Sequence, residues 1–158
     1  MGPITNIKRR GFSLVELVIV VVILGIIGAI AIPRMSRGAS GAGESALISD
    51  LAALRNAIEL YAAEHDGSYP AAGTIADQLT QYTDSAGDAQ ATADATHVFG
   101  PYLHSIPTLK VKGTRKGSNG IAAADAAGIG WLYTATTGTI KANSTETSSD
   151  GSTTYDAF

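Results

Sequence analysis

The run from Phe12 to Ile32, FSLVELVIVVVILGIIGAIAI, constrains this chain more than any other feature. Its 21 residues carry a single charge, Glu16. Wound as an α-helix the run reaches about 31 Å, close to the hydrocarbon thickness of a bilayer. Lys8, Arg9 and Arg10 precede it without an acid, so residues 1–11 carry +3 and the remaining 147 residues carry −6. That asymmetry predicts a start of the chain held in the cytoplasm and a remainder that crosses outward. No second span follows, so a single-pass topology is expected. An ordinary secretory signal has a shorter apolar core followed by a small-residue cleavage site, whereas here Pro33 and Arg34 follow the run. A plain signal anchor explains the run but not Glu16. A carboxylate at that depth is costly unless it reaches the interface, protonates or finds a partner.

Composition narrows the function classes. Hydrophobic residues are 45% of the chain and charged ones 16%, which does not fit a disordered polypeptide. The acidic body lacks the basic face that general nucleic-acid binding requires. With no cysteine in the chain, disulfides, thiolate metal sites and cysteine nucleophiles are excluded. His65, His97 and His104 lie far apart in sequence and in no catalytic constellation, and no nucleophile elbow, zinc-protease motif or phosphate loop is present. The chain does not read as an enzyme.

The segment Lys8-Arg9-Arg10-Gly11-Phe12-Ser13-Leu14-Val15-Glu16-Leu17 resembles the class III leader junction of type IV pilins and type II secretion pseudopilins. The resemblance implies that a prepilin peptidase cuts between Gly11 and Phe12 and methylates the new amine of Phe12. Glu16 then occupies the fifth mature position, the usual acidic one, and gains a cationic partner on its own chain or on a neighbour. Such a pair is favourable chiefly because the alternative is an unpaired buried charge, and it would fix subunits in axial register. Pro33 should kink or end the first helical segment. Gly38, Gly41 and Gly43 make the next stretch a poor helix.

From Ser45 to His65 an apolar stripe, Leu47, Leu51, Leu54, Ile58 and Tyr61, predicts an amphipathic helix packed under a small sheet. His65-Asp66-Gly67-Ser68-Tyr69-Pro70 should stop it; its D-G-x-Y-P run is similar to the helix-to-loop junction of major pseudopilins. A short helix is expected around Ile75–Tyr82 and a loop over 83–96. The two prolines of 99–107 argue for an ordered loop or edge segment. Runs 129–134 and 139–143, joined by Ala135-Thr136-Thr137-Gly138, read as a β-hairpin. Residues 143–154 contain 8 Ser or Thr and read as a mobile loop.

The expected fold is therefore α+β and pilin-like: a long N-terminal helix, half membrane-spanning and half amphipathic, on a small antiparallel sheet with a loop-rich C-terminal region. The expected organisation is a cleaved leader over 1–11, a transmembrane and filament-core helix over 12–33, a Gly-rich segment and amphipathic helix over 34–66, and a periplasmic region over 67–158. The major-pseudopilin resemblance implies a possible Ca²⁺ ligand set from Asp125, Asp150 and Asp156, although their spacing matches no EF-hand. Lys110, Lys112, Arg115 and Lys116 form a basic island. The stretch from Ile58 to Leu109 holds seven acids and no basic residue, so one copy's basic island could meet another copy's acidic stretch. The resemblance implies a subunit of a type II secretion pseudopilus, inserted in a bacterial inner membrane. Its partners would be further copies of itself, prepilin peptidase, an inner-membrane assembly platform and minor pseudopilins, with no nucleic acid. A type IV pilin for adhesion, motility or DNA uptake is the alternative.

Overall fold

A computed structural model describes residues 11–158, with side chains described outside 30–39. The chain divides into two compact units, one ending at Gly38 and one beginning at Ala39. Each is taken by itself.

Helix α1 spans Leu14–Glu64. Its start is a capping box: the Ser13 hydroxyl accepts from the Val15 N–H at 3.3 Å, and Glu16 Oε2 accepts from the Ser13 N–H at 2.9 Å. Helical backbone continues through Pro33 and the glycines that follow it, so of the two expectations for Pro33, a kink or an end, the helix does not end there. A proline deletes one backbone bond of the ladder, and the bonds of the turns on either side carry the helix across. Within the first unit, every large apolar side chain from Phe12 to Ile27 is exposed, the least of them, Val20, at 48%. Among the described residues no helix is long and apolar enough to cross a membrane.

The second unit contains the core. Leu47, Leu51, Leu54, Ile58 and Tyr61 are buried together with Ile75, Leu79, Leu109, Trp131, Tyr133, Ile140 and Tyr155, so the amphipathic stripe packs as its spacing predicts. The helix ends where expected. Asp66 takes a left-handed φ of 52°, and the Gly67 N–H reaches back to the Ala62 carbonyl at 2.8 Å.

Helix α2 spans Ile75–Thr80. Strands β1 (Tyr82–Thr83) and β2 (Ala89–Gln90) pair antiparallel, where the sequence suggested a helix end at Tyr82 and a loop from residue 83. Strand β3 (Gly120–Ala122) lies parallel to β4 (Ile129–Thr134), which pairs antiparallel with β5 (Thr139–Ala142). The β4–β5 hairpin is the predicted one. The architecture is α+β, a helix packed on small sheets, consistent with a pilin-like fold. Trp131 Nε1 donates to the Pro107 carbonyl at 2.8 Å, and the Tyr133 hydroxyl donates to the Pro70 carbonyl at 2.9 Å. These two bonds tie the sheet to the proline-containing loops.

Residues 143–154 are fastened rather than loose. The Ser149 and Tyr155 hydroxyls both donate to the Glu44 carboxylate, at 2.6 and 2.9 Å. Asp150 accepts from the Ser148 hydroxyl and from the backbone N–H groups of Ser152 and Thr153. Composition alone could not show that Glu44, about a hundred residues earlier, supplies the acceptor.

Candidate processing and assembly site

Residues 11–13 lie outside helix, directly before α1. Gly11 and Phe12 are exposed, Phe12 at 79%. A side-chain carbon placed on Gly11 would meet nothing within 4 Å. Among the described residues nothing crowds Gly11, and Gly11 and Phe12 lie outside the helix. Ser13 begins the protected region, because its carbonyl accepts from the Leu17 N–H at 3.2 Å. The described helix begins at Leu14. Lys8, Arg9 and Arg10 lie outside the described residues, as does the side chain of Pro33.

Glu16 has a partner that the sequence reading did not give it. Its Oε2 is bound by the Ser13 N–H, and the carboxylate sits in the first helical turn, where the unsatisfied N–H groups favour negative charge. The signal was readable, since Ser-x-x-Glu before an apolar run is a capping box. The attention that Glu16 draws as a lone charge hid it. Ser13 and Glu16 both lie on the C-terminal side of the predicted cut.

The carboxylates considered for calcium are engaged elsewhere. Asp125 is gripped by the Arg115 guanidinium, at 2.6 Å from Nε, and by Asn143 Nδ2 at 2.7 Å. Arg115 first, then Asn143, hold its carboxyl down to about 2. Asp156 lies 3.9 Å from Lys141 Nζ. Asp150 is turned inward on its own loop, and the Ser148 hydroxyl leads the bonds that keep its carboxyl well below the ordinary range. Asp125 and Asp156 line one shallow hollow with Asn143, Glu146 and Lys141, and Asp150 is not in its wall. Among the described residues no three His, Cys, Asp or Glu side chains are grouped to hold a metal. These three carboxylates do not form a shared oxygen cage, and two of them already face cations.

The basic island is also partly committed. Lys110 pairs with Asp50 at 2.8 Å and Arg115 with Asp125. Lys112 and Lys116 are exposed. The histidines do not converge: His65 is buried at the end of α1, His97 pairs with Asp94 at 3.0 Å, and His104 is exposed.

Residues 6–32 match the family described as the prokaryotic N-terminal methylation motif. No curated protein and no solved structure matches the chain. The match covers the leader junction and the apolar run and stops short of the second unit. It supports a type IV pilin-like N-terminus, bearing a prepilin-type signal of the kind that implies processing by prepilin peptidase and filament assembly.

Proposed function

We propose that this chain is the structural subunit of a type II secretion pseudopilus. It is inserted in the inner membrane through its apolar run, cut between Gly11 and Phe12, methylated at Phe12, and polymerised through that same run. The observation that carries the reading is the junction itself: an accessible Gly11–Phe12 bond, a capping-box carboxylate at Glu16, and an apolar helix face with no cover inside its own unit. An uncovered stripe of this size requires lipid or protein against it, and a subunit that passes from membrane to filament meets each in turn. The absence of cysteine and the D-G-x-Y-P run favour a pseudopilin over an adhesive or motility pilin. Between second units, Lys112 and Lys116 of one copy face the acidic stretch 58–109 of the next.

Intact mass of the membrane-extracted protein tests the reading. The expected species begins at Phe12 and carries one added methyl group. A mature chain that retains residues 1–11 would remove the basis for the proposal. Deletion of the gene should abolish export of secreted proteins and spare twitching and DNA uptake; the reverse outcome would assign the chain to a type IV pilus.

A further inference from the structure

The C-terminal end of α1 is joined to strand β1 by a buried ring. His65 is 5% exposed, stacked on Tyr61 at 3.8 Å between ring centroids and tilted against Phe99 at 5.0 Å. Its Nδ1 lies 2.8 Å from the Tyr61 carbonyl oxygen and its Nε2 lies 2.9 Å from the Asp84 carbonyl oxygen. Carbonyl oxygens only accept. A neutral imidazole has one N–H, so it can satisfy one of these oxygens and must turn a lone pair toward the other; the imidazolium satisfies both. A second partner is in place for the neutral ring. The Thr83 hydroxyl, in a fully buried residue, lies 3.2 Å from Nε2 and can donate to it.

The charged groups around the ring are occupied with other bonds. On α1, the Glu64 carboxylate accepts from the Tyr102 hydroxyl at 2.7 Å, and Asp66 is exposed beyond the helix end. On the β1 side, the Asp84 carboxylate accepts from the backbone N–H groups of Ala86 and Asp88. On the segment carrying Phe99, His97 is paired with Asp94. Tyr61 meets His65 through its ring face and Tyr102 edge-on. Among the described residues the ring nitrogens meet the two carbonyl oxygens and the Thr83 hydroxyl, and no carboxylate.

We propose that His65 is a proton-dependent clamp between α1 and β1. Doubly protonated, it donates to the Tyr61 and Asp84 carbonyls together. When Nε2 gives up its proton to solvent, it accepts from the Thr83 hydroxyl instead and the Asp84 carbonyl is released. The Nε2–H bond to the Asp84 carbonyl therefore exists only while Nε2 carries its proton. The clamp is independent of the secretion reading, because it lies wholly within the second unit.

The test uses the full chain in detergent micelles. Imidazole ¹⁵N–¹H correlations are followed between about pH 5 and pH 9, the range that brackets histidine titration. Two N–H signals for His65 in acid, replaced by one on Nδ1 at high pH, are expected. Thr83→Val removes the alternative donor and should move that conversion to higher pH. A His65 ring that keeps one tautomer throughout, or a conversion that Thr83→Val leaves in place, would overturn the clamp. Because the ring signals are read first on the unmodified chain, the test stands even if Thr83→Val does not fold.

Discussion

At the scale of single residues, Glu16 carries two separable duties. It caps α1 through the Ser13 N–H, and in the proposed filament it binds the new amine of Phe12. Ser13→Ala removes the reciprocal half of the box and should cost the helix start about 1 kcal/mol. Amide exchange over residues 14–17 should then quicken, while cleavage after Gly11 persists. Glu16→Val removes both duties. Processing should survive, because the accessible Gly11–Phe12 bond is untouched. Filament yield should drop about tenfold or more, since a bond to a charged group is worth about 1.5–3 kcal/mol. Undiminished filaments from the Val variant would show that Glu16 serves only as a cap. A third position tests the turn between β4 and β5. Gly138 has a φ of +66°, and a Cβ there would fall 2.5 Å from the Tyr69 ring. Gly138→Ala should lower stability by about 1–3 kcal/mol, read from thermal unfolding.

At the scale of elements, the amphipathic half of α1 and the β4–β5 hairpin supply the core and were both legible in the sequence. Their signals are periodic and local: a 4-3-4-3 apolar stripe, and two β-prone runs around a Gly-ending turn. The parts that sequence concealed depend on single long-range bonds. Glu44 fastens residues 149 and 155, and the parallel pairing of β3 with β4 leaves no local trace in three residues that are only half-buried. The same distinction governs expected energies. Leu54→Ala, in the stripe, should cost about 2–5 kcal/mol. Tyr133→Phe removes one buried bond to Pro70 and should cost about 1–1.5 kcal/mol. Glu44→Ala should leave the core intact and speed amide exchange across 144–155. If exchange there is already as fast in the unaltered chain, the strap does not hold the loop.

At the scale of the whole molecule, the buried core residues among those described belong to the unit that begins at Ala39, so a chain starting at Gly43 should fold and remain in solution without the apolar run. That unit also has an acid limit set by how its carboxylates are held. Five of them titrate below their ordinary values of 3.8 for aspartate and 4.5 for glutamate. The leading causes are the Ser149 hydroxyl at Glu44, the Asp88 N–H at Asp84, the His97 N–H at Asp94, the Arg115 guanidinium at Asp125, and the Ser148 hydroxyl at Asp150. A carboxyl that holds its proton less tightly folded than unfolded contributes stability above its unfolded value and loses it as pH falls through the folded one. For these groups the melting temperature should be level from neutral pH down to about pH 5 and fall below about pH 4. All five are solvent-facing, so the decline should be gradual and should shrink in salt. Asp150→Asn and Glu44→Gln keep the shape of the C-terminal loop but cannot ionise, and each should flatten part of the acid limb while lowering the neutral plateau. Equal melting temperatures at pH 5 and pH 2.5 would show that these hydrogen-bonded carboxylates contribute nothing to folding, and that the loops they organise are held by packing alone.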